Sequence, residues 1–357
     1  MAQEREPRRE RTGQLPLPLF VIAALVVIGA GVQAVASWLA PLLVAVFLAM
    51  ISVPPLVWLH RRKVPWGLGI VLLFVVVGFA VFQLFNVIEL TARQLAANGP
   101  EYQSKWLSFY SGVQAWLAAR GAPWESLLAE LPTPSLAVIA QGARTLAAAT
   151  GQVTANFALV LLAYVFLLLE VPTLTARFTA AFPRERRAQV RMRRFLAAVN
   201  RYLVIKTSVS AATGLLAWGL LAWRGVDFAL FFGVLAGLLN FIPTIGSIIA
   251  ALPAVVLALL QYGPIDAAVV AVGYLAINVV LGNVVEPRWM GQALGLSPTV
   301  VLVSLLLWGW LLGTVGAFLS IPLTMIAKLA LESHPSTRGW AVLMGGAVHS
   351  GGKRTPG

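Results

Sequence analysis

The stretch from Phe228 to Leu260 decides the fold, and its centre at 237–246 reads Gly-Leu-Leu-Asn-Phe-Ile-Pro-Thr-Ile-Gly. It contains 33 residues and no charge. A straight helix crosses the hydrocarbon of a bilayer with about 20 residues, and two crossings need about 40. The stretch is too long for one crossing and too short for two. Because Pro243 lacks an amide proton and Gly246 tolerates unusual backbone angles, we predict two half-helices that meet at a break inside the membrane.

Main chain that is broken at this depth must be buried in protein or line a hydrated cavity, because lipid offers it no hydrogen-bonding partner. The break is therefore the first candidate for a substrate path. Asn240 offers a side-chain acceptor and donors, and the carbonyl groups around Ile242 are expected to be free because Pro243 cannot donate. The half-helix that begins near Gly246 adds amide donors, and Thr244 lies beside it. The alternative is that Pro and Gly only let helices bend and pack.

The composition indicates a membrane protein. Of 357 residues, 59% are hydrophobic and 11% are charged, and the mean hydropathy is +0.85, whereas a soluble surface needs far more charge. We predict an all-α polytopic integral membrane protein with about six full transmembrane helices, two broken or re-entrant helical hairpins and an extramembrane helical insertion. The net charge of +13 lies in short basic blocks beside apolar stretches, which favours cytoplasmic loops and lipid headgroups over nucleic acid.

The residue types exclude several kinds of chemistry. The chain has no Cys, which excludes disulfides, thiol catalysis and thiolate metal sites. Its histidines, His60, His334 and His349, lie far apart without ligand spacing, so we expect neither a metal centre nor a cofactor. The glycines from Gly309 to Gly316 lie in an apolar segment, where small residues allow close helix packing, and do not form a phosphate-binding loop. We therefore expect neither an enzyme with catalytic residues nor an ATP-driven pump.

Hydropathy and charge divide the chain into segments. We predict a cytoplasmic tail at 1–14, three transmembrane helices in 15–88 with spans at 15–36, 41–59 and 66–88, and an external amphipathic helical region at 89–151. We predict a transmembrane helix and a basic cytoplasmic helix in 152–206, a core that contains the broken stretches 228–260 and 299–327 at 207–330, and a disordered cytoplasmic tail at 331–357. Basic residues concentrate on the sides assigned to the cytoplasm, which predicts a cytoplasmic N-terminus.

Two segments outside the predicted spans are amphipathic. In the external region an aromatic stripe recurs at helical spacing and is expected to pack either on the protomer's own helices or on another subunit. Its members are Tyr102, Trp106, Phe109, Val113 and Trp116. At 184–201 an apolar stripe that continues to Leu203 lies opposite several arginines, which predicts an interfacial helix on anionic lipid headgroups.

A second apolar stretch, 299–327, repeats the pattern of 228–260. It has 29 residues, again an awkward length for whole spans. Its Thr314-Val315-Gly316 followed by Pro322 parallels Thr244-Ile245-Gly246 followed by Pro253. One full span separates the two stretches, so we expect them to enter from opposite faces, as in the inverted repeats of secondary transporters. Thr314 and Gly316 would supply the matching tip, and the candidate hinges are Pro253, Pro287, Gly291, Pro298, Gly313 and Pro322.

Ionisable residues near the span ends are candidates for ion or proton coupling, because a charge in hydrocarbon is costly and usually functional. Glu286 follows Asn283 on one helix and is the first candidate for a carrier of a proton or cation. The alternative is an exposed pair between Glu286 and Arg288. Asp266 is a further candidate, although its place two residues after Pro264 fits a charge at a helix N-terminus better than a proton relay.

Several of these motifs occur in an order that resembles a known family. They are Leu239–Gly246, Ala250–Pro253, Asn283–Gly291, Leu296–Pro298, Gly313–Gly316 and Ile321–Leu323. They resemble the C-terminal signature of the autoinducer-2 exporter family, also called the PerM-like permeases. The resemblance is strong over 200–330, whereas the N-terminal half is similar only in layout. The family often has an aromatic residue where this chain has Thr244, a difference that bears on substrate choice.

The resemblance implies an inner-membrane secondary transporter that forms a homo-oligomer, with a pentamer as one option. In that family layout, a scaffold formed by 15–88 would carry a moving transport core, 207–330, with two re-entrant hairpins. Family members are associated with export of autoinducer-2, a furanosyl signalling molecule, and some with sodium or lithium efflux against protons. We therefore expect export of a small polar solute by alternating access, with an elevator-like motion as one form of it. Sodium–proton antiport and a non-transporting scaffold are the alternatives. The expected partners are the bilayer and a small polar solute or monovalent cation.

Overall fold

The computed structural model describes residues 17–119, 136–181, 186–243, 245–290, 295–333 and 336–345. Every regular element in these ranges is helical. By length and composition, six of the helices found there are long and apolar enough to cross a membrane. Helices suit this environment because each one satisfies its own backbone hydrogen bonds. The predicted class, an all-α polytopic membrane protein, is confirmed.

The helices are numbered in chain order. They are α1 Leu17–Ala34, α2 Ala36–Arg61, α3 Trp66–Ala97, α4 Gly99–Ala118, α5 Leu136–Ala181, α6 Arg186–Arg224, α7 Ala229–Leu239, α8 Ile245–Tyr262, α9 Pro264–Met290, α10 Pro298–Phe318, α11 Ser320–Ser333 and α12 Arg338–Leu343. Helix α9 contains a π-helical turn at Val279–Val285.

The first two helices meet without the loop that the sequence suggests. Helix α1 ends at Ala34 and α2 begins at Ala36, so Val35 alone joins them. Pro41, predicted to open the second span, lies inside α2. Helices in lipid tolerate such prolines because neighbouring groups take up the freed carbonyls.

Helices α5 and α6 run through boundaries that hydropathy predicts at 151/152 and 206/207. They contain 46 and 39 residues, which correspond to about 69 and 58 Å at 1.5 Å per residue. The prediction of a separate interfacial helix at 184–201 is wrong, because from Arg186 onward the basic segment is the first half of α6. No Pro or Gly interrupts the chain between Arg186 and Gly214. Its apolar stripe ends at Val199 and Leu203, which are fully buried in protein.

Helix α4 lies in the predicted extramembrane region and packs by one end on the rest of the protein. Tyr102 is buried, its ring lies 6.0 Å from that of Phe228, and its hydroxyl donates to Asp227 Oδ2 at 2.8 Å. At the other end Trp116 is 57% exposed. The first part of the aromatic stripe therefore packs on the protomer's own helices. Burial and the carboxylate of Asp227 both raise the pKa of Tyr102 above its usual range.

Two of the buried clusters define two groups of helices, called here the two bodies, and a third cluster joins them. Helices α2, α3 and α5 pack around Leu56, Ile70 and Leu168, and Tyr164 at the centre donates to Ser52 Oγ at 2.8 Å. Helices α6 to α9 pack around a second cluster, whose members include Ala217, Leu221, Phe232, Ala254 and Val270. In this second body α6 and α7 approach at glycines, since a Cβ on Gly214 would lie 2.8 Å from the carbonyl oxygen of Gly233.

Candidate functional site

Helices α7 and α8 form a helical hairpin, called hairpin 1. The interruption between them runs from Leu239 to Ile245 and contains Pro243. The last residue of α8, Tyr262, donates its hydroxyl to the carbonyl oxygen of Gly225 at 2.7 Å, just before α7. The two ends of the hairpin therefore lie together, and the chain turns back at the interruption.

Helices α10 and α11 form a second hairpin, called hairpin 2. The backbone at Gly313 has φ 66° and ψ −148°, a region that glycine alone enters without strain. Trp308 Nε1 donates to Thr324 Oγ1 at 3.0 Å, so α11 runs back along α10. Lys328 Nζ donates to the carbonyl oxygen of Gly295 at 2.5 Å, which brings the two ends of this hairpin together.

The bases of the hairpins lie at opposite ends of α6 and α9. Asp266, at the start of α9, forms an ion pair with Arg224, at the end of α6 beside hairpin 1. Arg201, in the first half of α6, donates to the carbonyl oxygen of Trp289 at 3.1 Å. Helices α6 and α9 are therefore antiparallel, and hairpin 2 begins at Gly295, near the Arg201 end. The hairpins extend toward each other from opposite ends of the bundle.

The tips of the hairpins meet at three phenylalanines. Phe241 of hairpin 1 stacks on Phe318 of hairpin 2 with ring centroids 4.4 Å apart. Phe47 of α2 meets both rings edge-on, at 5.7 and 5.3 Å. Aromatic pairs of this geometry contribute about 0.5–1.5 kcal/mol beyond burial. This phenylalanine cluster joins both tips to a helix of the other body.

Each tip has a glycine placed against a backbone carbonyl near the end of the preceding helical segment. A Cβ on Gly246 would lie 1.8 Å from the oxygen of Leu239, and a Cβ on Gly316 would lie 1.9 Å from the oxygen of Trp308. These glycines end the two Thr-aliphatic-Gly motifs. The breaks therefore share a backbone contact as well as a sequence pattern, and only glycine fits either one without backbone movement.

Polar side chains surround the tips. Asn240 Nδ2 donates to Ser210 Oγ at 3.0 Å, which ties hairpin 1 to α6. Among the described residues, the buried hydroxyls of Thr207, one turn earlier in α6, and of Ser320, directly after Phe318 and Leu319, have no hydrogen-bond partner. Leaving such a group unpaired costs about 1–3 kcal/mol, so these hydroxyls are suited to bind a polar molecule.

The other predicted path residues are placed as follows. The carbonyl of Ile242, predicted to be free, accepts from the amide of Gly246 at 3.3 Å, so that prediction is wrong. The donor comes from the first turn of α8. Ile242 and Pro243 are half-buried in the first tip, and Thr314 is exposed in the second. Thr244 and the candidate hinge Gly291 lie outside the described residues.

The prolines proposed as hinges occupy different kinds of position. Pro298 is the first residue of α10, after Ser297, which caps the helix by accepting from Val300 N at 3.3 Å. Pro322 lies in the first turn of α11. Both suit helix starts, where the amide has no partner within the helix. Pro253 lies inside α8, and Pro287 follows the π-helical turn of α9.

Glu286 pairs with Lys206 and not with Arg288. Lys206 Nζ donates to both carboxylate oxygens of Glu286, at 2.9 and 3.0 Å. The side chains are only 6% and 16% exposed, whereas Arg288 is exposed. The predicted alternative, an exposed pair with Arg288, is wrong. Sequence reasoning missed Lys206 because it lies 80 positions earlier, at the end of a basic run.

The π-helical turn explains why Glu286 faces α6. The buried side chains in the first half of α9 are Ala267, Val270 and Tyr274. Ordinary helical spacing would continue their face to residues 281 and 285. The wider turn contains one extra residue, and Pro287 lacks the amide that would bond to Asn283. Glu286 and Met290 therefore take the inward positions, and Asn283 is exposed.

The fold and the paired tips define a class of protein: a polytopic helical membrane protein with two opposed hairpins in one bundle. In the described ranges no group of His, Cys, Asp or Glu is placed to hold a metal ion. The chain belongs to the AI-2E transporter family, whose sequence model matches residues 19–336. It is accordingly a multi-pass inner-membrane protein of a family of transporters, not enzymes. The resemblance noted in the sequence is confirmed.

Similar proteins cover almost the whole chain. A candidate transport protein of Haemophilus influenzae is 40% identical, over 92% of this chain and 95% of the relative. The AI-2 transport protein TqsA of Escherichia coli is 36% identical, over 91% of this chain and 94% of its own length. YhhT of Escherichia coli, a candidate transport protein, is 33% identical, over 95% of this chain and 96% of its own length.

Proposed function

We propose that this protein is a secondary transporter that exports a small polar solute, first of all an autoinducer-2-like molecule, by alternating access. The observation that carries the proposal is the contact of two opposed hairpin tips at Phe241 and Phe318. In secondary transporters, substrate sites are typically built where interrupted helices of two repeats meet near the middle of the bilayer.

The proposed topology places the hairpins as re-entrant elements. Hairpin 1 has its base on the external side and hairpin 2 on the cytoplasmic side, because Arg201 and Arg288 lie toward the base of hairpin 2. Pro54, in the half of α2 that ends with Arg61, lies beside them. The N-terminus is then cytoplasmic. The scaffold is 15–88, the transport core is 207–330, and the basic first half of α6 contacts anionic headgroups.

The chemistry of the tips favours an uncharged solute with hydroxyl groups. The polar side chains there are neutral: Asn240 and Ser210, which bond to each other, and the unpartnered hydroxyls of Thr207 and Ser320. Together they offer donors and acceptors without a charge. The name of TqsA connects that relative with autoinducer-2, and the same solute class suits these groups. Antiport would need an available carboxylate, but Glu286 is held by Lys206.

Flux of autoinducer-2 from proteoliposomes that contain the full chain tests the proposal. We expect flux down the solute gradient, reduced at least about 10-fold in Asn240→Ala because a loss of about 1.4 kcal/mol of interaction is tenfold. The matched control is Asn278→Ala, since Asn278 donates only to the carbonyl of Tyr274 in its own helix at 2.8 Å.

Four results would count against this proposal or a part of it. Absence of flux in the natural protein rejects it, and a sodium-driven pH change lost in Glu286→Gln would support antiport instead. Equal flux in Asn240→Ala and Asn278→Ala would show that the hairpin tips do not line the substrate path. If Gly316→Leu also left cellular function intact while deletion of 89–151 abolished it, the protein would be a scaffold.

A further inference from the structure

We propose that Glu286 forms a monovalent-cation site whose cation is supplied by the chain itself, as the ammonium group of Lys206. Where an ion-coupled transporter binds sodium from solution, this protein would keep a tethered positive charge. The consequence for transport rests on the function proposed above, but the site can be tested without any transport measurement.

The geometry of the pair resembles a cation held by a carboxylate. A single nitrogen, Lys206 Nζ, contacts both oxygens of Glu286 at nearly equal distances, 2.9 and 3.0 Å. The ammonium is a compact charge on a flexible stem, so it can occupy the position of a small ion. Both side chains are largely buried between α6 and α9, and a carboxylate so enclosed requires a cation or a proton.

Other charged groups on the neighbouring helices do not form an ion pair with the carboxylate of Glu286. Arg201 donates to the carbonyl of Trp289, and Arg288 is exposed. The second ion pair between these helices, Arg224 with Asp266, lies at their opposite ends. Lys206 is thus the cation that neutralises Glu286 within the described part of the chain.

The pair lies beside the site formed by the hairpin tips. Ser210, which accepts from Asn240 of hairpin 1, is one helical turn after Lys206. Tyr202, one turn before Lys206, is buried in the same cluster as Phe241. A change in the occupancy of the Glu286 site would therefore alter the charge next to hairpin 1. With Lys206 in place, we expect transport without a sodium requirement.

Removal of the lysine should open the site. Lys206→Ala leaves the enclosed carboxylate together with the space of the lost side chain, so sodium from solution can take the vacated position. We expect saturable binding of radioactive sodium, about one ion per chain, to purified full-length Lys206→Ala in nanodiscs. The natural protein and the double variant Lys206→Ala/Glu286→Gln should retain no more sodium than empty nanodiscs.

The matched control is Arg224→Ala, which frees the more exposed Asp266 at the other end of the same two helices. We expect no saturable sodium binding to it. If Lys206→Ala is folded by gel filtration and binds no sodium, or if the natural protein already binds sodium through Glu286, the inference is overturned. If Lys206→Ala unfolds without sodium, recovery in sodium or lithium chloride but not in choline chloride supports it, and no recovery overturns it.

This test is separate from that of export. If Lys206→Ala binds no sodium, the cation site is rejected, but the proposal of export stands. If the natural protein shows no flux, export is rejected, but the binding result stands. If both hold, flux through Lys206→Ala should become dependent on sodium, and flux through the natural protein should not.

Discussion

At the scale of single residues, two glycines determine whether the hairpins can close. Gly246 and Gly316 each receive a backbone carbonyl where any other residue would carry its Cβ. A backbone atom cannot move aside as the end of a long side chain can. We therefore attribute the Thr-aliphatic-Gly pattern in both tips to this contact rather than to general helix flexibility.

Gly246→Ala should disrupt hairpin 1. The added methyl group overlaps the oxygen of Leu239, and overpacking of this kind typically costs about 1–3 kcal/mol. We expect a lower midpoint of thermal unfolding in detergent and a loss of solute flux. The control is Gly219→Ala in α6, where an added Cβ meets no atom within 4 Å. Equal unfolding midpoints in the two variants would refute the close contact.

At the scale of elements, α4 is fastened to hairpin 1 by one buried tyrosine. The carboxylate of Asp227 accepts from Tyr102 and also from Gln261, at the end of α8. The next residue, Phe228, has φ 58°, a conformation that an aromatic residue adopts at some cost. Helix α4 thus contacts the turn from which hairpin 1 starts, and we expect its docking to stabilise that turn.

Tyr102→Phe should loosen α4. It removes a hydrogen bond to a charged group, worth about 1.5–3 kcal/mol, while it keeps the ring contact with Phe228. We expect faster amide hydrogen exchange in α4 and at the start of α7. Leu107→Ala is the control, because Leu107 is largely exposed on the same helix. Unchanged exchange in Tyr102→Phe would mean that the bond does not hold the helix.

The docking of α4 should also depend on pH in one direction. The pKa of Tyr102 is raised above the ordinary value of 10.0 by burial and by Asp227. Its contribution to stability is therefore complete below about pH 10 and is lost as the pH rises through the higher folded value. The ultraviolet difference spectrum between natural protein and Tyr102→Phe should show no tyrosinate until the pH is well above 10. A normal tyrosine titration would contradict this.

At the scale of the whole molecule, two hairpins with bases at opposite ends meet at their tips. The phenylalanine cluster joins them to Phe47, which belongs to the other helical body. Alternating access would require this contact to change, because a fixed junction of both tips with α2 would hold the bundle in one arrangement.

Cross-linking of the tips should arrest transport. The chain has no native cysteine, so Phe241→Cys/Phe318→Cys carries only the introduced thiols at positions whose rings now stack. A short thiol-reactive cross-linker should stop flux in this variant, and a reducible one should allow recovery by reduction. The single-cysteine variants are the controls. Flux that survives complete cross-linking would show that the tips need not separate.

The proposed orientation predicts labelling from opposite sides. Ile265 is 77% exposed at the base of hairpin 1, and Ser333 is exposed at the end of α11, beyond the base of hairpin 2. In intact cells a membrane-impermeant maleimide should label Ile265→Cys, and it should label Ser333→Cys only after permeabilisation. Labelling of both without permeabilisation would contradict opposite bases.

The sequence contains enough to predict the breaks but not the long helices or the ion pair. The length of 228–260 and the place of Pro243 indicate the interruption, because both act within a few residues. The continuity of α6 was missed, since a change in hydropathy marks a change of solvent and does not end a helix. The Lys206–Glu286 pair depends on a π-helical turn and on the antiparallel packing of α6 and α9, neither of which follows from local pattern.

The close glycine contact between α6 and α7 has a mechanical consequence. With Gly214 against Gly233, the backbones of α6 and α7 lie in direct contact, so we expect hairpin 1 and α6 to move together. Movement of hairpin 1 toward the external side would bring the arginine-bearing start of α6 toward the acyl chains. An arginine at the bilayer centre costs about 2.5–3.5 kcal/mol on insertion scales. The basic start of α6 would therefore oppose movement of hairpin 1 toward the external side.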